Sequence, residues 1–181
     1  MATPRRMVAL LRGINVGRAK RVAMADLREL MSELGYQDVR TLLNSGNVVF
    51  SAPAKQRGDA AARIAAALLR RTGVSARVIL LRADELAEIV ASDPFGPTAS
   101  DHSRLLVFVL ANPADRARLV PLTREAWKPE GLVLGRRVAF AWCPQGIIES
   151  RVAGALGRIL GDAVTVRNWA TLNKLHAASS G

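Results

Sequence analysis

The sequence predicts an α+β protein made of two successive ferredoxin-like βαββαβ subdomains with antiparallel sheets and a C-terminal helix. Two observations predict this fold. Short apolar runs alternate with amphipathic stretches, and the same order of elements occurs twice along the 181 residues. Half of the residues are hydrophobic, so a chain of this length buries enough apolar surface to fold without disulfides or a structural metal.

The first subdomain is predicted over residues 1–82. Met24, Leu27 and Leu34 recur at helical spacing, and the composition of Asn44–Asn47 is typical of a tight hairpin turn. The predicted elements are the strand Arg6–Leu11, the helix Met24–Leu34, the strands Val39–Leu43 and Val48–Ser51, a helix capped by Asp59 and ended by Gly73, and the strand Ser75–Leu81.

A bridging helix and a linker are predicted over residues 83–101, and the second subdomain over residues 102–181. No sequence identity between the halves supports the repeat, which follows from element order alone. The predicted elements are the helix Ala83–Ala91, the link Asp93–Asp101, the strand Arg104–Leu110, the helix Ala114–Ala126, the strands Leu132–Leu134 and Val138–Trp142, the helix Val152–Leu160, the strand Ala163–Val166 and the helix Asn168–His176, followed by a frayed Ala177–Gly181.

The chain is strongly basic, with a formal net charge of +11. A field of this sign attracts anionic partners, which here means nucleic acid or a phosphorylated small molecule. Only four of the 26 basic residues are lysines. Such an arginine bias also arises from a GC-rich genome, so the alternative is that the charge is compositional and serves solubility.

No membrane partner and a cytoplasmic location are expected. The longest apolar run, Leu105–Ala111, is far shorter than the roughly 20 residues that span a bilayer. A single cysteine, Cys143, cannot form an internal disulfide, which fits a reducing compartment. The sequence does not determine the oligomeric state, and a monomer is the default expectation.

Glycines and cations are concentrated between the first strand and the first helix. Backbone N–H groups ahead of a helix, with arginine or lysine beside them, suit phosphate. The spacing matches neither the Walker nor the dinucleotide-binding pattern. The alternative is a solvated loop whose glycines only serve its turns. The anion-binding residues predicted in this loop are Arg12, Gly13, Asn15, Gly17, Arg18, Lys20 and Arg21.

No catalytic residue, cofactor or metal site is predicted. His102 and His176 lie far apart, with no carboxylate or cysteine at metal-ligand spacing. Cys143 is expected to be an inert, partly buried thiol. Ser45 lacks the strand-to-helix elbow that presents a nucleophilic serine.

Three motifs in this order resemble the bacterial domain-of-unknown-function family 1697. They are LRGINVG at Leu11–Gly17, NSGNVVF at Asn44–Phe50, and TVRNW at Thr165–Trp169 ahead of Lys174. The resemblance runs from about Arg6 to His176. It implies two ferredoxin-like α+β subdomains and supplies no catalytic residues.

The resemblance also extends the candidate site. The motif residues added to the predicted anion-binding set are Ser45, Gly46, Asn47, Arg167 and Asn168. Three positions depart from the family pattern: Arg18 replaces a frequent glycine, Leu42 an aromatic residue and Ala170 an asparagine. The loop is therefore expected to be bulkier here. The alternative is that the motif side chains tie turns and the C-terminal helix to the fold.

Three hypotheses for function follow. The first is binding of an anionic partner, a phosphorylated small molecule or nucleic acid, at the Arg12–Arg21 loop beside the other motif residues. The second is an enzyme acting on a phosphorylated or carboxylated small substrate, with Arg12 and Arg167 as clamps. The third is a structural or interaction protein without a ligand.

Overall fold

The computed structural model describes residues 4–19, 21–54 and 58–181. The chain divides into two compact units. The first contains the residues up to Ala87 together with Lys174–Gly181, and the second is Glu88–Asn173. These bounds differ from those of the predicted subdomains, because the C-terminal segment groups with the first unit.

The first unit has a four-stranded antiparallel sheet in the order β2-β3-β1-β4. One sheet face packs on α1 and α2 through a core that includes Leu11, Leu27, Phe50 and Ile64. The elements are β1 (Arg5–Arg12), α1 (Met24–Glu33), β2 (Gln37–Leu42), β3 (Asn47–Ala52), α2 (Ala60–Thr72) and β4 (Arg77–Arg82), followed by α3 (Ala83–Ser92).

The two predicted ends of α2 are confirmed. The Asp59 carboxylate accepts a hydrogen bond from the N–H of Ala62 at 3.0 Å, which satisfies a donor that the first turn leaves open. Gly73 ends the helix in the left-handed conformation, with φ of 71°, where a residue with a Cβ is strained.

The C-terminal segment of the first unit contacts β1. The Arg6 guanidinium donates to the carbonyl of Ala178 at 3.4 Å and to Ser51 Oγ at 3.1 Å. Ser51 Oγ in turn donates to the Asp38 carboxylate at 3.0 Å. One arginine therefore links the tail to three strands.

The second unit repeats the sheet, with strand order β6-β7-β5-β8. Leu106, Phe108 and Leu156 lie in its core. The elements are a 3₁₀ turn (Gly96–Ala99), β5 (Leu105–Leu110), a 3₁₀ turn (Pro113–Asp115), α4 (Arg116–Leu119), a 3₁₀ turn (Val120–Arg124), β6 (Gly131–Leu134), β7 (Val138–Trp142), α5 (Arg151–Leu160) and β8 (Val164–Asn168). The last helix, α6 (Trp169–Ser179), begins in this unit, and its residues from Lys174 onward belong to the first. The predicted fold class, two ferredoxin-like subdomains plus a C-terminal helix, is confirmed.

Two predictions about helices are wrong. The predicted helix Ala114–Ala126 is a short α-helix between two 3₁₀ turns, because Pro121 has no N–H to donate and its ring clashes with the preceding turn. The predicted fraying after His176 is not observed, since α6 continues to Ser179, whose hydroxyl donates to the carbonyl of His176 at 2.9 Å.

Within the described part of the chain, no helix has the length and apolar character needed to cross a membrane. Among the same residues, no group of three or more His, Cys, Asp or Glu side chains is placed to hold a metal ion.

Candidate functional site

Asn15 closes the loop between β1 and α1. Its side-chain amide donates to the carbonyl of Val22 at 3.0 Å, and the N–H of Val22 donates back to Asn15 Oδ1 at 2.8 Å. This reciprocal pair resembles a backbone pair between strands and joins the two ends of the loop. Asn15 itself has φ of 53°, a left-handed conformation that asparagine tolerates better than most residues.

The hairpin turn between β2 and β3 lies against this loop. The Asn15 amide also donates to the carbonyl of Asn44 at 2.7 Å, and the N–H of Leu11 donates to the carbonyl of Gly46 at 2.8 Å. A Cβ at Gly46 would lie 2.7 Å from Leu11 Cβ and 2.8 Å from Ile14 Cδ1. Gly46 is therefore required by close approach, and the structure brings the two predicted motifs together.

The buried side chain of Asn47 stabilises the hairpin turn through hydrogen bonds. Its side chain is fully buried, and its amide donates to the carbonyl of Leu42 at 3.0 Å and to Ser45 Oγ at 2.9 Å. Because buried amide groups must be hydrogen-bonded to be tolerated, this residue organises the turn. The Asn47 amide nitrogen is thus directed into the protein.

The cations of the loop differ in exposure. Arg18 and Arg21 are exposed, and neither forms an ion pair or hydrogen bond through its side chain among the residues that the structure describes. Arg12 is half-buried and has interactions of its own. Gly17 is exposed at the tip of the loop. A Cβ added at Gly13 would lie 3.7 Å from the carbonyl oxygen of Ser75. Lys20, the remaining predicted cation, lies outside the described residues.

A further arginine, which the sequence analysis did not select, belongs to this cluster. Arg77 at the start of β4 lies directly opposite Arg12 in the antiparallel register. Opposed residues on neighbouring strands point to the same sheet face, with Cβ atoms about 5 Å apart. Arg77 is exposed. Only the strand register identifies it, since nothing in its local sequence signals a site.

Arg167 and Asn168 lie in the second unit, at the end of β8. Asn168 Oδ1 accepts a hydrogen bond from the N–H of Thr171 at 2.9 Å and so caps α6. The Arg167 guanidinium donates to Thr165 Oγ1 at 3.0 Å and to the carbonyl of Val166 at 2.8 Å. Burial lowers the pKa of Arg167 to about 10, because removing water from a charged group favours its neutral form.

The motif residues therefore divide by unit. The loop and the hairpin turn form one cluster in the first unit, and Arg167 with Asn168 forms a second cluster in the second unit. That all of them share one anionic ligand stays a prediction. The side chains of Asn15, Asn47 and Asn168 are hydrogen-bonded to neighbouring backbone or hydroxyl groups, which leaves the arginines as the groups best suited to contact a ligand.

Cys143 has no access to solvent. The thiol is fully buried, and burial raises its pKa, so the reactive thiolate is disfavoured. Its Sγ donates to Ser150 Oγ at 3.2 Å. The thiol is more completely buried than the sequence analysis expected, and this environment is typical of a packing residue.

Comparisons with known proteins agree with this architecture. A conserved bacterial protein from Streptococcus pneumoniae has a similar structure, with a TM-score of 0.71 and 22% sequence identity over 98% of this chain and 99% of that one. At this identity the similarity concerns the fold alone. A comparison with curated proteins gives no match.

The sequence pattern of one family matches residues 5–140, which include the β1–α1 loop and the first hairpin. Its description is a protein of unknown function, DUF1697. The match covers well over half of the chain, and the chain therefore belongs to the DUF1697 family.

Proposed function

We propose that the first unit binds a phosphate-bearing anion through the basic loop cluster, defined as Arg12, Arg18, Arg21 and Arg77. The observation that carries this proposal is where these arginines lie: Arg12 ends β1 opposite Arg77, and Arg18 and Arg21 lie in the loop that follows β1. Arg6, Arg71 and Arg82 form ion pairs with carboxylates. Among the described residues, the side chains of Arg18, Arg21 and Arg77 are exposed and have no ion pair with a carboxylate.

The loop has a fixed base beneath these cations. The reciprocal Asn15–Val22 pair and the contact with Asn44 hold both loop ends against the hairpin. The entropy lost on ligand binding is therefore smaller than for a loop without such anchors. Guanidinium groups form short, charge-assisted hydrogen bonds with phosphate oxygens, often two at a time.

Electrostatics within the sheet favour an anion at the same place. Like charges directly opposite one another on neighbouring strands destabilise a sheet, and Arg12 lies opposite Arg77. A phosphate near both side chains reduces this repulsion. The net charge of +11 adds long-range attraction that accelerates the encounter with any polyanion.

The test compares two double variants with the same change in net charge. Arg18→Glu/Arg21→Glu alters the cluster, and Arg40→Glu/Arg70→Glu alters two exposed arginines elsewhere in the first unit. Binding of a fluorescent single-stranded RNA 12-mer is followed by anisotropy, and binding of inorganic pyrophosphate by calorimetry. We expect the cluster variant to weaken binding of one probe by at least about tenfold, and the matched variant by less than about threefold.

Salt distinguishes the two kinds of ligand. Affinity for RNA falls steeply with salt because binding releases counterions, whereas a small-phosphate site saturates at one ligand and responds less. Equal losses in the two double variants would mean attraction by net charge alone and would contradict a site at the loop. Absence of binding by both probes at low salt would also contradict it.

The hypothesis of a purely structural role has its own support in the three motif asparagines. Asn15, Asn47 and Asn168 use their side chains to close the loop, the hairpin and the start of α6. If these motifs only organise the fold, Asn15→Ala lowers the melting temperature and the Arg18→Glu/Arg21→Glu variant has no binding phenotype. Thermal melting together with the RNA and pyrophosphate titrations distinguishes this hypothesis from the first.

A further inference from the structure

The second unit has a groove beside α5 that the loop cluster does not use. It has a volume of about 330 Å³, within the range of small-molecule sites. One wall is α5, and the other is the segment from Leu122 to Trp127. The residues that define this α5 groove are Leu122, Glu125, Trp127, Arg151, Gly154 and Arg158.

Two arginines stand on the helix wall with a glycine between them. Arg151, Gly154 and Arg158 are separated by three and four residues, so they share one face of α5. All three are exposed. A Cβ at Gly154 would meet only Arg158 Nη1, at an ordinary 3.5 Å. Packing therefore does not require glycine here, and its missing side chain leaves the space between the arginines open.

The opposite wall supplies an apolar floor and one carboxylate. The Trp127 indole donates to the carbonyl of Leu122 at 2.8 Å, which fixes the ring. The Arg151 guanidinium lies over this ring, 5.4 Å from its centroid, an attractive cation–π arrangement that holds the cation at the groove. Glu125 is exposed on the same wall. Two arginines and one glutamate line the groove, and a second carboxylate, that of Glu130, lies beside Arg151.

The first N–H groups of α5 are already hydrogen-bonded, so only side chains remain to contact a ligand in the groove. The N–H groups of Arg151 and Val152 already donate to the Glu130 carboxylate at 3.0 Å, and that of Ala153 donates to Ser150 Oγ at 3.0 Å. The donors left for an anion are those of the guanidinium groups, of which Arg151 already donates from Nη2 to the carbonyl of Ala126 at 3.4 Å. Arg158 has no side-chain hydrogen bond or ion pair within the described part of the chain.

From this arrangement we propose that the α5 groove binds a small aromatic carboxylate. The carboxylates of Glu125 and Glu130 repel a monoanion less than they repel a phosphate dianion. The planar guanidinium of Arg158 matches a carboxylate with two parallel hydrogen bonds. The apolar parts of Leu122 and Trp127 contact the ring, and the volume accommodates one or two fused rings.

The experiment uses benzoate and benzamidine, which have the same shape and opposite charge. Binding to the ¹⁵N-labelled full-length chain is followed by NMR, through the Trp127 indole N–H and the Gly154 amide. We expect benzoate to shift both signals with a dissociation constant on the order of 1 mM, typical of a fragment of this size. Benzamidine is expected to leave them unchanged at the same concentration.

Three variants locate the site. Gly154→Leu fills the groove without disturbing the core, and Arg158→Gln removes the charge at an exposed position. Each is expected to weaken benzoate binding by at least about tenfold. Arg136→Gln, an exposed arginine at the β6–β7 turn, is the matched control and is expected to bind as the unchanged protein does.

The proposal is overturned by any of three results. They are equal binding of benzamidine, benzoate shifts that map away from Trp127 and Gly154, and unchanged benzoate affinity in both groove variants. Because the loop cluster lies in the other unit, loss of RNA or pyrophosphate binding there does not affect this outcome, and the two proposals fail separately.

Discussion

The two units share a strand order but differ in the connection that leaves their first strand. In the first unit, β1 continues through a glycine-bearing basic loop into α1, a helix of 10 residues. In the second, β5 continues into 3₁₀ turns around α4, which has 4 residues. Even so, β1 and β5 occupy the same position in sheets of the same order. Strand pairing and the apolar core therefore determine the architecture, and this connection can vary to serve function.

Substitution of the hairpin glycines by alanine is expected to give the largest difference in stability loss between the two units. Gly46→Ala adds a Cβ at a left-handed φ of 79° and against Leu11 Cβ at 2.7 Å, so we expect a loss of about 3 kcal/mol in the first unit. At Gly135 the φ is not left-handed, so only a steric cost arises, from the buried side-chain atoms Val138 Cγ2 at 2.8 Å and Phe140 Cε2 at 3.1 Å. Gly135→Ala is expected to lose about 1 kcal/mol.

Separate probes are needed for the two units. Trp127, Trp142 and Trp169 account for all three tryptophans and lie in the second unit, so fluorescence during urea unfolding follows that unit. Amide hydrogen exchange of β1 and β3 follows the first. A smaller loss for Gly46→Ala than for Gly135→Ala would contradict the close approach between the hairpin turn and the β1–α1 loop.

The asparagines that follow the first strand of each unit, Asn15 and Asn112, are expected to have an intermediate effect on stability. Asn15→Ala removes the bonds to Val22 and Asn44, and we expect a loss of about 2 kcal/mol in the first unit. Asn112 only caps the 3₁₀ turn after β5, through a bond from the N–H of Ala114 at 3.0 Å. Asn112→Ala is expected to lose about 0.5–1 kcal/mol in the second unit.

The same two probes measure these losses. A variant Asn15→Asp serves as control, since it keeps the acceptor for Val22 and removes both amide donors. Its stability is expected to be no higher than that of Asn15→Ala, because the second carboxylate oxygen faces the carbonyls of Val22 and Asn44. Equal stability of Asn15→Ala and the unchanged protein would mean that the loop base is not fixed by this residue.

Carboxylates at the helix N-termini are expected to have the smallest effect on stability. For Glu130, at the start of α5, this effect depends on pH. Burial disfavours the charged form of Glu130, but hydrogen bonds from Ser150 and from the N–H groups of Val152 and Arg151 outweigh this, so the pKa of Glu130 lies below its ordinary value of 4.5. A carboxylate whose pKa is lower in the folded state than in the unfolded state stabilises the folded state at pH values above the unfolded-state pKa. That contribution is lost as pH falls through the folded pKa.

We therefore expect Glu130→Gln to cost about 1 kcal/mol at pH 7, and the difference from the unchanged protein to shrink as pH falls below the ordinary pKa of 4.5. Tryptophan fluorescence measures this in the second unit. In the first unit, Asp59→Asn at the start of α2 is the control, because asparagine caps a helix as well as aspartate does. A pH-independent loss in Glu130→Gln would contradict the role assigned to the carboxylate.

The sequence predicted the elements whose determinants are local. Asp59 and Gly73 specify both ends of α2, and the apolar spacing specifies α1. The break after α4 is also encoded locally, because Pro121 has no N–H to continue the predicted helix Ala114–Ala126. Local rules therefore suffice where no proline opposes the hydrophobic pattern.

The candidate site was predictable in composition and not in geometry. The glycines and arginines of the loop indicated a basic surface, but the hydrogen bond from Asn15 to Asn44 joins residues 29 positions apart. The pairing of Arg12 with Arg77 likewise depends on the register of β1 with β4. Such contacts follow from the register of whole strands, which short motifs do not specify.

The link between Arg6 and the carbonyl of Ala178 has a consequence for biosynthesis. All residues of the second unit are contiguous and have been translated once the ribosome has passed Asn173. The first unit still lacks Lys174–Gly181 at that moment, although its four strands were made much earlier. The contacts between this earlier-made sheet and the segment Lys174–Gly181 therefore form only after the whole second unit has been translated.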